Sequence, residues 1–285
     1  MIIAISGASG FIGQALIKKF RENGWTFRII DRDSLKLPDT EFRNSLIEGS
    51  DAVINLAGAP VSVKWTEARK KEIYDSRINT TRKISENILA AQCKPAVFIS
   101  GSAIGIYDSV HTHTESSTHF ADTFLARVCS DWEKEALTSA GVTRVVLFRT
   151  GVVLGSGGGI LEKIYFPFSI GLGGKIEKGK QPFSFIHLED LVNAFLFVIQ
   201  TPELSGTVNA VSPHPSTNAE FTEMFGKVLK QTTWLTIPPF ALKMLLGEGA
   251  LIMTEGQKVM PEKLLSAGFR FKYPTLMNTL VKIYR

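Results

Sequence analysis

Short apolar runs alternate along the chain with longer stretches whose apolar residues recur at helical spacing. The runs typical of buried strands lie at residues 2–6, 25–30, 51–60, 96–100, 144–148 and 183–187. Helical stretches lie between and after them, the longest at residues 66–92 and a strongly apolar one at residues 189–200. Strands that alternate with helices predict an α/β fold, with a mostly parallel sheet covered by helices on both faces.

The pattern changes in the last third of the chain, where short helices are separated by Pro-rich and Gly-rich turns. Residues 1–204 are therefore one predicted α/β domain, and residues 205–285 are a smaller C-terminal substrate lobe to which residues 155–182 also contribute. Ligands of open α/β sheets bind at the carboxyl ends of the strands. We therefore expect a cleft between the two lobes.

Composition excludes several classes of protein. Hydrophobic residues make up 44% and charged residues 21% of the 285 residues, which is ordinary for a globular protein. The net charge of +5 is scattered along the chain and forms no basic stripe, so no nucleic-acid partner is expected. The apolar run at residues 191–200 is too short to span a bilayer, and the chain opens directly into a strand. Cys93 and Cys129 are too few for a disulfide framework, so we expect a cytoplasmic protein. We expect no membrane partner, because no apolar run is long enough to span a bilayer.

Three glycines follow the first predicted strand, at positions 7, 10 and 13 in the segment GASGFIG. Gly7 permits a tight turn, Gly10 lets the backbone approach a pyrophosphate, and Gly13 lets helix and strand pack closely. The helix N-terminus offers N–H groups and partial positive charge to phosphates. Asp31 ends the next predicted strand, where an acidic residue binds a ribose diol. This βαβ unit predicts a dinucleotide site, and glycines that serve packing alone are the alternative.

Four motifs resemble the extended, atypical branch of the short-chain dehydrogenases/reductases, in the NAD-dependent epimerase/dehydratase family. They are GASGFIG at 7–13, NLAG at 55–58, ISGSA at 99–103 and FIHLEDLVNAF at 185–195. Longer segments, among them FLARVCSDWEKEA and RTGVVLGSGGGIL, are similar to a subgroup called nucleoside-diphosphate-sugar epimerase-like. The resemblance spans essentially the whole chain.

The resemblance implies a Rossmann-type doubly wound parallel sheet with a smaller C-terminal substrate lobe. It implies NAD or NADP as cofactor and an oxidoreductase or isomerase that acts on a polar small molecule, of which a nucleotide-linked sugar is one candidate. The expected cofactor-binding residues are Gly7, Ser9, Gly10, Phe11, Ile12, Gly13, Asp31, Arg32, Leu56, Ala57, Gly58, Ser100 and Thr150.

The same resemblance raises a question about catalysis. Ser102 falls where the family keeps a catalytic Ser or Thr, whose hydroxyl donates to a developing oxyanion. The family also expects Tyr-x-x-x-Lys one helix later, but no such sequence occurs in this chain, and Leu125 and Cys129 stand at the two positions. Tyr107 and Cys129 are the alternative proton donors. Two hypotheses stay open: an enzyme that uses another donor, and a non-catalytic NAD(P)-binding sensor or scaffold.

The sequence leaves the nucleotide open. A carboxylate at Asp31 hydrogen-bonds the 2′-hydroxyl of NAD and repels the 2′-phosphate of NADP, whereas Arg32 beside it suits that phosphate.

Two further residues are candidate substrate contacts at the strand ends. Arg149 suits either a substrate phosphate or a carboxylate partner, and His187 precedes a helix near the predicted cleft. A histidine-rich segment with His111, His113 and His119 has no helix to arrange ligands, so we expect a solvated loop and no metal. The substrate and the oligomeric state stay open.

Overall fold

The structure is a computed structural model that describes the backbone of residues 1–285 and the side chains of all residues except Leu245 and Leu246. The strands are β1 (Ile2–Ser6), β2 (Thr26–Ile30), β3 (Ala52–Asn55), β4 (Val97–Ala103), β5 (Thr112–His113), β6 (Arg144–Thr150), β7 (Val152–Leu154), β8 (Gly174–Ile176), β9 (Pro182–Phe183), β10 (Phe185–His187), β11 (Gly206–Ala210), β12 (Ser216–Thr217), β13 (Leu235–Ile237) and β14 (Lys258–Val259).

The helices connect these strands and cover them. They are α1 (Phe11–Glu22), α2 (Asp39–Phe42), α3 (Glu67–Ala90), α4 (Phe124–Leu137), α5 (Gly159–Ser169), α6 (Leu188–Gln200), α7 (Asn218–Leu229), α8 (Pro239–Leu246), α9 (Leu251–Thr254), α10 (Glu262–Ser266) and α11 (Leu276–Tyr284). Short 3₁₀ turns occur at Ser34–Lys36, Ile104–Ile106 and Gly247–Ala250, and a π-helical turn occurs at Arg43–Ile47.

The central sheet contains six parallel strands in the order β11-β6-β4-β3-β1-β2. The chain moves outward from β1 to β2 in one direction and then from β3 to β11 in the other. The strand order therefore reverses between β1 and β3, which is the topological switch point where such sheets bind ligands. The predicted fold class, a Rossmann-type α/β fold, is confirmed.

The inner strands are apolar because both faces of the sheet are covered. On one face Ile5, Ile54 and Phe148 pack with residues of α1 and α6. On the other face Val53 and Phe98 pack with residues of α3. Successive side chains of a strand point to opposite faces, so one apolar run supplies both cores.

The smaller lobe is built from short strand pairs and an aromatic cluster. The pairs are β7 with β10, β8 with β13, β9 with β12, and β5 with β14. Phe168, Phe185, Phe221 and Phe225 are buried together in this lobe. The predicted strand at 183–187 thus lies outside the main sheet. In contrast, β11 belongs to the main sheet although it follows the predicted boundary at residue 204. The division into two lobes stays a prediction.

Helix α4 carries the Leu125 and Cys129 positions and begins at Phe124. Thr123 caps it, because the Thr123 side chain accepts a hydrogen bond from the backbone N–H of Ala126. Within the described residues, no helix is long and apolar enough to cross a membrane.

Candidate functional site

The glycine turn after β1 has the geometry that the sequence predicts. Gly7 has a φ of +71°, and a Cβ on it would lie 2.7 Å from the carbonyl of Leu56. A Cβ on Gly13 would lie 2.2 Å from the carbonyl oxygen of Gly7, so helix α1 and the turn touch through their backbones. Gly10 is the N-cap of α1 and has no side chain with which to cap it. The N–H groups of the first turn are therefore open to an anion.

A buried polar network joins this turn to the end of β3. The hydroxyl of Ser6 donates to Oδ1 of Asn55 and accepts hydrogen bonds from the backbone N–H groups of Leu56 (3.1 Å) and Ala57 (3.2 Å). Asn55 also donates to the hydroxyl of Thr81 on α3 at 2.7 Å. The two turns at the switch point, at Gly7 and at Leu56–Gly58, thus have a fixed relative position.

A second glycine-rich loop, Gly155–Gly159, lies on Phe11 at the start of α1. A Cβ on Gly158 would lie 2.4 Å from the Phe11 ring, and one on Gly155 would lie 3.0 Å from it. Gly158 is also the N-cap of α5, again without a side-chain cap. Two helix N-termini therefore approach the same region, which favours a ligand with more than one negative charge.

Asp31 and Arg32, the two residues that could select the nucleotide, are in different situations. The Asp31 carboxylate accepts hydrogen bonds from the backbone N–H groups of Asp33 (3.1 Å) and Ser34 (2.8 Å). The hydrogen bond from the backbone of Ser34 is the largest cause that lowers the pKa of Asp31. Arg32 is exposed, and its side chain makes no ion pair with the side chains that the structure describes. One oxygen of Asp31 is thus engaged in the local turn, whereas the Arg32 guanidinium is available.

The other predicted cofactor contacts surround the same switch point. Ser9 is exposed in the glycine turn, and Ile12 packs partly buried against the core below it. Ser100 is fully buried within β4, whereas Thr150 ends β6 half-buried. Their contacts with a cofactor stay predictions.

Ser102 lies near the end of β4 and belongs to a buried charged network. Its hydroxyl donates to Oε1 of Glu133 at 2.6 Å. Arg149 on β6 donates two hydrogen bonds to the same carboxylate, from Nε to Oε1 (2.7 Å) and from Nη2 to Oε2 (2.6 Å). Ser102 and Arg149 are each only 5% exposed. Arg149 therefore has a carboxylate partner inside the protein, and its predicted contact with substrate stays a prediction.

Tyr107 completes this network from the other side. Its hydroxyl accepts a hydrogen bond from Nη1 of Arg149 at 2.8 Å and lies 2.9 Å from Oδ1 of Asn209 and 3.0 Å from the carbonyl oxygen of Thr114. The residue is 0% exposed. Burial raises the pKa of Tyr107, although Arg149 acts in the opposite direction. This geometry argues for a structural role.

The two positions of the missing Tyr and Lys are apolar. Leu125 packs with Ala59, Trp65 and Ile73 in a hydrophobic cluster. Cys129 is buried, and burial raises the pKa of its thiol to about 11. A thiol with this pKa is protonated at neutral pH and is a weak acid. Neither residue has the chemistry of the pair it replaces.

His187 is the N-cap of α6. Its Nδ1 accepts a hydrogen bond from the backbone N–H of Glu189 at 3.1 Å, and its ring centroid lies 4.1 Å from that of Tyr273. Burial lowers the pKa of His187 to about 4, so the ring is neutral at neutral pH. A contact with substrate stays a prediction.

The histidine-rich segment is only partly a solvated loop. His113 is fully buried, and its ring stacks on Tyr107 with 4.6 Å between centroids. His111 and His119 are exposed, and together with Asp108 they offer ligand atoms that all lie within 4.8 Å of one another.

Glu133 belongs to this network, and the sequence did not single it out. It lies in FLARVCSDWEKEA, four residues after Cys129, among several other charged residues. The signal that could have found it is its helical spacing from Cys129, because residues i and i+4 share a helix face and Cys129 is a candidate proton donor.

Comparison with known proteins agrees with this geometry. A model described as the NAD dependent epimerase/dehydratase family matches residues 3–211. A second model, described as a domain of unknown function (DUF1731), matches residues 237–283. The first match contains the glycine turn, Ser102, Glu133 and Arg149, and the second lies in the smaller lobe.

Relatives match over nearly the full chain. A chloroplastic homologue of epimerase family protein SDR39U1 from Arabidopsis thaliana is 38% identical over 98% of this chain and 86% of its own length. The crystal structure of human epimerase family protein SDR39U1 (isoform 2) with NADPH is 31% identical, covers 100% of this chain and 99% of that one, and has a TM-score of 0.93. The nucleoside-diphosphate sugar epimerase from Corynebacterium glutamicum is 27% identical, with a TM-score of 0.79 over 100% of this chain and 59% of that one.

The family predicted from the sequence motifs is therefore confirmed. The cofactor prediction, NAD or NADP, agrees with the NADPH named for the human structure. The family model matches residues 3–211, and a relative is 38% identical over 98% of this chain. This chain therefore belongs to the NAD dependent epimerase/dehydratase family.

Proposed function

We propose that the chain binds NADPH, and NADH more weakly, at the switch point between β1 and β3. The observation that carries this proposal is the glycine turn, where Gly7 and Gly13 leave no room for a Cβ and α1 presents an uncapped N-terminus. These residues fit a pyrophosphate, because backbone N–H groups and the helix dipole both favour anions. The human relative, whose structure is named with NADPH, supports the proposal.

The preference for NADPH is proposed from the contrast between Asp31 and Arg32. The Asp31 carboxylate is partly engaged by the backbone of Asp33 and Ser34, whereas Arg32 is exposed and makes no ion pair with the described side chains. A guanidinium binds a phosphate with two parallel hydrogen bonds.

We further propose that the chain is an oxidoreductase or epimerase that transfers hydride to or from a polar small molecule. A bound nicotinamide would supply the hydride acceptor or donor. In the oxidation direction, the substrate hydroxyl gives its proton to Oγ of Ser102 while Ser102 passes its own proton to Oε1 of Glu133, 2.6 Å away. Reduction reverses both transfers. Arg149 positions Glu133 through its two hydrogen bonds.

The family match supports a proposal for the substrate class. A nucleotide-linked sugar is the first class to test, which the named activity of the Corynebacterium protein supports. A cytoplasmic location is part of the proposal, since Cys93 and Cys129 are both free thiols.

The test begins with a panel of nucleotide sugars, alcohols and carbonyl compounds, from which we take any substrate that changes the redox state of the nicotinamide. The turnover of Ser102→Ala is then measured on that substrate. Loss of an acid–base group lowers turnover by about 10²–10⁴-fold, and the affinity for NADPH should not change. Ser139→Ala is the matched control, because Ser139 is also buried but its hydroxyl bonds only to the carbonyl oxygen of Ala136 near the end of α4. Full activity of Ser102→Ala would contradict the proposed proton transfer.

A second candidate is a non-catalytic dinucleotide-binding sensor. It is favoured by the replacement of the catalytic pair by Leu125 and a buried Cys129, and by the complete burial of Tyr107. It predicts NADPH binding without any redox change across the panel. Redox change with one class of substrate, lost in Ser102→Ala, would remove this candidate.

A further inference from the structure

Arg77, on α3, lies against the second of the two turns at the switch point. A Cβ built on Gly58 would lie 2.7 Å from Cζ of Arg77, so the guanidinium is packed directly on the backbone of the turn Leu56–Gly58. A side chain at this position would displace the tip of Arg77. The Arg77 side chain is therefore held beside a segment that the proposed function assigns to the cofactor.

The Arg77 guanidinium has no counter-charge. Its Nη1 donates to the backbone carbonyl oxygens of Ala59 (3.1 Å) and Ile73 (3.0 Å), and its Nε and Nη2 make no hydrogen bond with the residues that the structure describes. Among the described side chains, no carboxylate oxygen lies within 4.0 Å of it. Arg149 differs, because Glu133 neutralises it. Arg77 is only partly exposed, and a partly buried cation without a counter-charge is costly unless it meets a partner.

The surroundings of Arg77 are also short of hydrogen-bond acceptors. The guanidinium lies over the Trp132 ring at 5.3 Å, and the buried indole Nε1 of Trp132 has no acceptor among the described residues. Burial lowers the pKa of Arg77, and the neighbouring Cys129 acts in the opposite direction. A ligand group with several oxygen acceptors would therefore suit the unpaired donors of Arg77 and Trp132.

The order of strands indicates which part of a dinucleotide reaches Arg77. The phosphate-binding turn lies at β1, whereas Arg77 contacts the turn after β3 and a tryptophan that packs on Gly101 of β4. Ser102, where the proposed chemistry occurs, is the next residue of β4. Arg77 therefore lies between the pyrophosphate end and the reacting end of the cleft, at the level of the second ribose.

We propose that Arg77 is a dinucleotide-binding residue whose guanidinium donates to the hydroxyl oxygens of the nicotinamide-side ribose. The proposal rests on the proposed function, because it requires a dinucleotide in the cleft. It places on α3 the positive charge that α4 lacks, since Cys129 stands where the family resemblance implies a lysine.

Calorimetric titration of Arg77→Met tests the proposal with three ligands: NADPH, 2′-phospho-ADP-ribose and 2′-phospho-ADP. The last two differ only in the second ribose. We expect NADPH and 2′-phospho-ADP-ribose to bind at least about tenfold more weakly than to the wild type, with 2′-phospho-ADP within about twofold. Arg77→Lys should lose less, because it keeps the charge but not the planar fork. Arg82→Met is the control, since Arg82 lies on the same helix but pairs at the surface with Glu135.

Three results would overturn the inference in distinguishable ways. If the wild type binds NADPH and Arg77→Met binds all three ligands equally well, Arg77 does not bind the dinucleotide and the proposed function stands. If the wild type binds neither NADPH nor NADH, the proposed function fails and the inference with it.

If Arg77→Met loses affinity for all three ligands equally and its ligand-free unfolding temperature falls, Arg77 is a structural residue. Our expectation is an unchanged or higher unfolding temperature, because the substitution removes a partly buried cation that has no counter-charge. If Arg77→Met does not fold, the selective loss is sought in Arg77→Lys, and its absence there overturns the inference.

Discussion

The two ends of the proposed cleft differ in whether their polar groups have hydrogen-bond partners inside the protein. At the β1 end, the glycine turn and the first turn of α1 present N–H groups without side-chain partners, and Arg32 is exposed without a counter-charge among the described side chains. At the β4 end, Ser102, Glu133, Arg149 and Tyr107 satisfy one another inside the protein. The first region leaves hydrogen-bond donors open to an anion, whereas the polar groups of the second are paired inside the protein.

This difference separates binding from stability. Unpaired donors cost free energy in the empty protein and are stabilised when a ligand arrives. A closed ionic network needs no ligand, but it is sensitive to the loss of one member. Substitutions at the β1 end should therefore change affinity, and those at the β4 end should change the free energy of unfolding. Ser102 is the exception, because it belongs to the network and lies beside the proposed site of chemistry.

The largest expected effect is at Glu133. Glu133→Ala leaves Arg149 buried without a counter-charge, which should reduce the free energy of unfolding by about 3–5 kcal/mol. Urea unfolding measures this difference. Glu135→Ala is the control on the same helix, because its partner Arg82 is 48% exposed and such pairs contribute about 0–1 kcal/mol. A loss below about 1 kcal/mol in Glu133→Ala would show that the network is not closed.

Gly13→Ala should act on affinity. The added Cβ would lie 2.2 Å from the carbonyl oxygen of Gly7, so α1 must move away from the turn. We expect NADPH to bind at least about 30-fold more weakly, or ~2 kcal/mol. The control is Gly141→Ala, where a Cβ would meet no atom within 4 Å. Unchanged affinity in Gly13→Ala would mean that the glycines serve packing alone.

Arg32→Ala should lower the affinity for NADPH by about tenfold, or ~1.4 kcal/mol, because the guanidinium no longer meets the 2′-phosphate. The affinity for NADH should stay unchanged, and fluorescence titration measures both. Lys36→Ala is a control of the same charge on the same surface. Equal losses for NADPH and NADH would place Arg32 elsewhere than at the 2′-position.

The last prediction concerns pH and His187, which is buried. Burial lowers its pKa to about 4 in the folded state, against about 6.5 when unfolded. As pH falls through this window, the unfolded chain binds a proton that the folded chain does not, so the free energy of unfolding falls. His187→Asn keeps a capping acceptor for Glu189 and removes this titration. Nearby Glu189, Lys272 and Lys282 remain in both proteins.

Urea unfolding of both proteins at about pH 7 and pH 4.5 is the measurement. His187→Asn should lose less free energy of unfolding between the two values than the wild type does. Equal losses would mean that His187 titrates normally in the folded protein.

The sheet could be predicted from sequence because its strands are covered on both faces. β1, β3, β4 and β6 were expected within a few residues of where they lie, since a doubly buried strand must be a continuous apolar run. β10 shows the limit of that reasoning. Its residues are equally buried, but they pair with β7 outside the main sheet, and burial alone does not name the partner strand.

The candidate site divides in the same way. The requirement for Gly7 and Gly13 arises within a few residues, so their spacing shows it. The pairing of Glu133 with Arg149 joins α4 to β6, and the sequence offers many other acids and bases as partners. Arg77 escaped notice for a related reason. The feature that distinguishes Arg77 is the absence of a carboxylate partner among the described side chains, and only a folded structure shows that absence.

The most decisive experiment is a fluorescence titration of the wild-type protein with NADPH and with NADH. We expect saturable binding of both, with NADPH the tighter ligand because Arg32 is available and Asp31 is partly engaged. Tighter binding of NADH would mean that Asp31 decides the choice and would contradict the assignment of Arg32. Binding of neither nucleotide at cellular concentrations would contradict the central claim that the open end of the cleft is built for a dinucleotide.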